Sequence, residues 1–140
     1  MEIWKYLVGT NRQYSVSSFG NIRSHRHRFG RRKIPKFLKP GITGGYRYVI
    51  LYNKGIHKTY RLAGLIAKMF IGKKPNGKII NHKDCNKSND NYENLEYVTH
   101  QENTIHAWTN NRCSVRLGIN HPNHKLPPEQ VFHQRLEQDK

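Results

Sequence analysis

The chain is 140 residues long, 35% hydrophobic, and carries 25 Lys/Arg against nine Asp/Glu, for a formal net charge of +16. That length holds one domain with a small core and a tail. Cys85 and Cys113 form no C-x-x-C pair, which argues against a thiolate zinc knuckle and against a disulfide scaffold, and no apolar run is long enough to span a bilayer.

The charge excess is local. Residues 1–60 hold thirteen Lys/Arg against the single acid Glu2, whereas residues 61–100 hold seven against four and residues 101–140 five against four. A one-sided field attracts polyanions, of which nucleic acid is the common one. A membrane surface would also suit the charge, but the basic region has no helical apolar stripe opposite its cations. RNA stays open beside DNA. Free thiols suit a reducing compartment, and "MEIWKYLVGTNRQY" lacks the basic-then-apolar order of a secretion signal, so a soluble intracellular protein is expected.

In chain order, "QYSVSSFGNIRSHR" (13–26) sets two short alternating runs on either side of Phe19-Gly20-Asn21 and predicts a hairpin. "RHRFGRRKIPKFLKPGITGG" (26–45) mixes Pro, Gly and cations without periodicity, and predicts a basic linker or arm. "YRYVILYNKGIHKTY" (46–60) predicts a second hairpin turning at Asn53-Lys54-Gly55. Tyr46, Tyr48, Ile50 and Tyr52 would share one face, and Arg47, Val49 and Leu51 the other. Such a ribbon can enter a DNA major groove, or it can lie as a plain sheet on the core.

"RLAGLIAKMFIG" (61–72) repeats apolar residues at Leu62, Leu65, Ile66, Met69 and Phe70, the stripe of a helix with one buried face, and Gly72 suits its end. "KII" (78–80) and "LEYV" (95–98) read as short strands around a loop of Asn, Asp, Ser and Lys. Thr99-His100-Gln101-Glu102 has the capping-box spacing, so a helix should start at Thr99 and run to about Asn110. The tail from 118 offers at most a short helix after Pro128. Its His121 and His124 resemble half a zinc site, but with no nearby cysteine they read as a chance pair.

The stretch "IINHKDCNKSNDNYENLEYVTHQEN" (79–103) gathers five acids, six asparagines and two histidines in a basic chain. A long polar loop between two strands usually has a task. Carboxylate and amide oxygens favour hard cations such as Mg²⁺, and an imidazole can take a proton from water near neutral pH. Together they are the parts of a metal-assisted phosphodiester hydrolase.

"NHKDCNKSNDNYENLEYVTHQEN" resembles the HNH nuclease motif of phage and intron-encoded homing endonucleases, through "NH", the spaced Asp-x-Asn-Lys-x-Asn run, "ENLEYVT" and "QEN". "YSVSSFGNIRS" (14–24), preceded by Trp4-Lys5, is similar to the N-terminal module that often accompanies this nuclease. The resemblance covers roughly residues 4–108 and implies an α+β fold, a small ββα-metal core preceded by β-hairpins and a basic arm. Three regions are expected: residues 1–45 as hairpin module and arm, 46–112 as hairpin, helix and nuclease core, and 113–140 as a tail similar to the opening of a truncated helix-turn-helix.

Residue by residue, the resemblance implies His82 as general base, Asn81 and Asn103 as metal ligands, and Asn94 as the support that holds the loop and orients the histidine. His106 is kept as a further candidate near the site, while Asp84, Asp90 and Glu93 are read as shaping the loop and balancing charge. The implied cofactor is Mg²⁺, with Mn²⁺ or another divalent ion as alternative. Two departures stand out: many relatives have Asp at the position of Asn81, and commonly His-Arg where this chain has Ala63 and Gly64.

The expected partner is double-stranded DNA, with no membrane partner, bound by a monomer or a homodimer, in the cytoplasm of a bacterial host. Arg23, Arg26, Arg28, Arg31, Arg32, Lys33, Lys36 and Lys39 are expected on phosphates, and Arg47, Tyr48, Lys54 and Lys58 on a groove or backbone. The resulting reading is a site-directed DNA endonuclease, nicking or cutting both strands. A catalytically inactive DNA-binding protein of the same fold is the alternative, and a basic RNA-binding protein a third.

Overall fold

The computed structural model describes residues 1–110; the expectations for Cys113, His121, His124 and the tail lie outside the described residues. Contacts divide the chain into a unit over Met1–Tyr97 and a second over Val98–Lys140.

In the first unit, β1 (Trp4–Tyr6), β2 (Tyr14–Ser17), β3 (Ile22–His27) and β4 (Gly30–Phe37) form an antiparallel sheet in sequence order. The predicted hairpin at 13–26 is β2–β3, with Gly20 at φ +88° in its turn. The basic stretch expected as a linker is instead strand β4 followed by β5 (Gly41–Thr43). Periodicity failed there for a physical reason. Nearly every β4 residue is exposed, so no face needed apolar side chains, and pairing with β3 supplies the order.

β5 pairs with β6 (Tyr46–Asn53), and β6 with β7 (Ile56–Arg61). The turn between β6 and β7 is Lys54-Gly55, both with positive φ (+49° and +82°), as a tight hairpin matching strand twist requires. Alternation on β6 buries Val49 and Leu51 and leaves Ile50 exposed. The two sheets meet at Tyr14, whose hydroxyl accepts from the Tyr52 N–H at 3.1 Å and lies 3.3 Å from the Tyr52 carbonyl.

Helix α1 (Leu62–Phe70) follows β7 directly and buries Leu62, Ala63, Ile66 and Ala67. The two alanines add to the predicted stripe, because small residues let the helix approach the sheets closely. Gly72 at φ +124° bonds back to the Ala67 carbonyl and ends the helix. Val16, Ile22, Leu62 and Ile66 are at most 1% exposed and centre the core, which Leu51 and Leu95 extend. Strand β8 (Lys78–His82) pairs with β9 (Leu95–Thr99) across the polar loop, whose last residues, Tyr92–Asn94, make a 3₁₀ turn.

In the second unit, helix α2 (His100–Thr109) starts as its sequence predicts. The Thr99 hydroxyl accepts from the Glu102 N–H at 3.1 Å, and the Glu102 carboxylate accepts from the Thr99 N–H at 2.7 Å.

Candidate active site

Strand β8 ends on Asn81 and His82, which are only 7% and 5% exposed. The chain then turns sharply: the Cys85 N–H bonds the His82 carbonyl at 2.9 Å, with Cys85 itself at φ +61°. The loop 83–94 has few apolar residues with which to order itself, and side-chain hydrogen bonds order it instead. Asp84 accepts from the Asn86 N–H (2.8 Å), Asn89 Nδ2 (2.7 Å) and Asn94 Nδ2 (2.9 Å). Asn86, Asn89 and Asn91 each accept from a backbone N–H two residues on, the bonding of Asx turns. Burial pushes the Asp84 carboxyl up, but the bonds from Asn89, the Asn86 backbone and Asn94, with the field of His82, outweigh it and hold it below its ordinary value.

Asn94 bonds the loop most widely. Its Oδ1 accepts from the Asp84 N–H (3.0 Å), its Nδ2 also reaches the Asn89 carbonyl (2.9 Å), and its own carbonyl accepts from the Lys83 N–H (2.8 Å). The earlier strands brace the same loop from outside. Ser88 Oγ donates to the Gly45 carbonyl at 2.7 Å, and the Tyr92 N–H to the Ser18 carbonyl at 3.0 Å.

His82 Nε2 lies 2.9 Å from Asp90 Oδ1. Asp90 is 2% exposed, and its Oδ2 stands 3.6 Å from Arg47 Nη1, an ion contact too long to be a hydrogen bond. The Tyr46 ring sits 6.1 Å from the imidazole and is itself flanked by Arg61 (4.0 Å) and Lys87 (4.9 Å). Asn81 Nδ2 donates to Glu96 Oε1 at 2.8 Å. That bond fixes which way the amide points and leaves Oδ1 as the atom with lone pairs for a ligand.

Asn103 is half-buried early in α2, and His106 lies in its last turn; both belong to the second unit. Among the described residues no three His, Cys, Asp or Glu side chains gather as a metal site. A site here would rest on amide oxygens, hard ligands that fit an ion completing its shell with water and phosphate.

The expected DNA-contact residues divide into two groups. Arg28, Lys33, Lys36, Lys39, Lys54 and Lys58 are exposed. Others are engaged within the protein: Arg23 stacks on Trp4 at 3.9 Å, Arg26 on Tyr52 at 4.1 Å, Arg31 donates to the Tyr6 hydroxyl, Arg32 to the Arg26 carbonyl, and Tyr48 accepts from Arg61. Arg47 shares the inward face of β6 with Val49 and Leu51, and turns to Asp90 and the Ser88 carbonyl. Two neighbours of the site that the sequence did not single out are Glu96, behind Asn81, and Gly20, whose added Cβ would fall 3.1 Å from Asp90 backbone. Nothing in the residue string distinguishes Asp90 from Asp84, because both are acids of one polar loop.

The strand, laced polar loop, strand and capped helix, preceded in the chain by the strands of two β-sheets, define an α+β protein of the HNH type. Residues 64–105 match the family described as HNH endonuclease, and residues 2–52 match the NUMOD4 motif. The chain therefore carries an HNH endonuclease domain, with the NUMOD4 motif ahead of it.

Among its relatives, an uncharacterized HNH endonuclease of Acanthamoeba polyphaga mimivirus is 35% identical over 69% of this chain and 27% of its own length. The DNA endonuclease I-HmuI of Bacillus phage SP01 is 32% identical over 80% of this chain and 61% of its own. A solved structure of I-HmuI, titled for DNA binding and cleavage by that HNH homing endonuclease, aligns with TM-score 0.68 and 31% identity over 81% of this chain and 62% of that one. The chain thus spans about a quarter of the mimivirus relative and about three fifths of I-HmuI.

Proposed function

We propose that this chain is a site-directed DNA endonuclease that hydrolyses phosphodiester bonds with one divalent ion and His82 as general base. The observation that carries the reading is the end of β8, where an amide oriented by Glu96 and a buried imidazole are consecutive residues at the start of a loop laced by Asn94. The likeness to I-HmuI, whose structure is titled for DNA binding and cleavage, supports the choice of DNA.

In this reading Asn81 Oδ1 and Asn103 hold the ion, and Asn94 keeps the loop from shifting His82. When bound, the ion, Mg²⁺ by the hardness of its amide ligands, stabilises charge on the phosphate and on the leaving oxygen. His82 takes a proton from water; the water oxygen bonds to phosphorus, the bond from phosphorus to the leaving oxygen breaks, that oxygen takes a proton from solvent water, and His82 returns its own to solvent. His106 stays a candidate neighbour of the reacting groups. Exposed cations of β4 and the two basic turns hold the DNA backbone and fix its register. One base and one ion serve one strand, so a monomer nicks and a double-strand break needs a second copy or a second binding event. The workplace is the cytoplasm of a bacterial host, as the phage relative suggests.

The test is plasmid nicking. Wild-type protein with Mg²⁺ should convert supercoiled to open-circular DNA and EDTA should stop it. His82→Ala should slow it by about 10²–10⁴-fold while still binding DNA. Binding without cleavage by the wild type under Mg²⁺ and Mn²⁺ alike would leave only a DNA-binding protein.

A further inference from the structure

Asp90 stands apart from the rest of its loop. Asp84, Asn86, Asn89, Asn91 and Asn94 spend their side chains on the loop's own backbone. Asp90 turns the other way, with Oδ1 on His82 Nε2 at 2.9 Å. Burying a carboxylate to 2% exposure is costly unless a partner compensates for lost water, and here the compensation is the imidazole with the Arg47 guanidinium at 3.6 Å. A residue needed only to shape the turn would serve as well uncharged. Its backbone is also clamped: a Cβ at Gly20 would fall 3.1–3.3 Å from Asp90 main-chain and Cβ atoms, and next along the loop Tyr92 is tied to the Ser18 carbonyl. The N-terminal turn therefore presses on the residue that touches the histidine.

We infer that Asp90 is a positioning residue that fixes both the ring orientation and the tautomer of His82. The inference rests on the reading of His82 as the general base. An ionised carboxylate only accepts hydrogen bonds, so the nitrogen facing it carries the proton. In the neutral imidazole the free lone pair is then on Nδ1, and Nδ1 is the atom that receives the proton from water. Arg47 in turn holds the second carboxylate oxygen, which links strand β6 to the orientation of the base.

The experiment pairs steady-state nicking with imidazole ¹⁵N spectra of the metal-free protein, taken about two pH units above the free histidine pKa, with His82 assigned by its loss in His82→Ala. Wild-type His82 should be in the Nε2–H form, and Asp90→Ala should give a mixture of tautomers. Nicking by Asp90→Ala should fall about 10–100-fold in kcat, as for other loosened partners of a site histidine, with KM for DNA within about twofold. Asp90→Asn keeps an oxygen acceptor of the same shape and should recover much of the loss.

A wild-type His82 in the Nδ1–H form, or an Asp90→Ala protein with an unchanged spectrum and unchanged kcat, overturns the inference. Failure of the endonuclease reading looks different. There His82→Ala nicks as well as the wild type, or nothing nicks, and the ¹⁵N spectrum still decides whether Asp90 sets the ring. Should Asp90→Ala fail to fold, Asp90→Leu, which fills the space without an acceptor, carries the test: the inference predicts a mixture of tautomers in the folded protein, and a spectrum kept as in the wild type overturns it.

Discussion

The polar loop 83–94 and the strand β4 are both hydrophilic and both outside the apolar core, yet they are built in opposite ways. In the loop nearly every amide and acid is used inward: the Asp84 side chain accepts three bonds, the Asn94 side chain makes three, and Asp90 turns onto His82. On β4 the backbone pairs with β3 and Arg31 and Arg32 bond within the protein, while Lys33 and Lys36 stand in solvent beside Ile34 at 83% exposure. Polarity therefore means two things in this chain. In the loop it replaces a hydrophobic core and holds groups still; on the ribbon it is left available for an external polyanion.

Four perturbations break or sharpen that contrast. The largest effect is expected from Arg28, Lys33, Lys36 and Lys39 replaced together by Ser. At about 0.1 M salt the affinity for DNA should fall by about a thousandfold, and the log–log salt slope by about 0.9 for each phosphate that is no longer neutralised. The melting temperature should barely move. A large loss of stability would mean the ribbon is a packed element after all. Asn94→Ala goes the other way. By removing three side-chain hydrogen bonds, at about 1 kcal/mol each, it should cost about 2–3 kcal/mol by urea unfolding and disable nicking, while the salt slope of DNA binding stays as it was.

Thr99→Ala removes the hydroxyl half of the capping box at the start of α2 and should cost about 1 kcal/mol, with Thr99→Ser restoring most of it. The smallest effect is on pH. His25 is buried beside Ser15, and burial first, then the charges of Arg23 and Arg31, hold its pKa below the ordinary imidazole value. The unfolded chain therefore takes up a proton before the folded one. Stability is full above the ordinary histidine range and declines as pH falls through about 6.5, levelling off below the folded value. Chemical unfolding of His25→Gln should lack that decline; an identical pH profile would remove His25 as its source.

Much of the architecture was legible because its signals are local. Asn53-Lys54-Gly55, Phe19-Gly20-Asn21 and the spacing from Thr99 to Glu102 each specify backbone geometry within four residues, and the structure has the two hairpins and the capped helix there. The stripe from Leu62 to Phe70 became a helix with its buried face as expected, though the fully buried Ala63 and Ala67 were not read as core. Strand β4 escaped because exposure on both faces leaves no alternation to detect. Arg47 is a candidate for groove or backbone contact by its place on the second hairpin, and its turn towards Asp90 becomes visible only in the fold, where it shares a face with Val49 and Leu51.

By itself the sequence determined where the two turn-marked hairpins and the two helices lie, and which short stretch holds the histidine and amides, because backbone conformation and hydrophobic period depend on near neighbours. Only the tertiary structure decided that Asp90 rather than Asp84 meets His82, that Glu96 fixes the Asn81 amide, and that Gly20 presses on the loop from seventy residues away. Those choices depend on which distant surfaces pack together. A buried charge has a favourable state only where such packing brings it a partner.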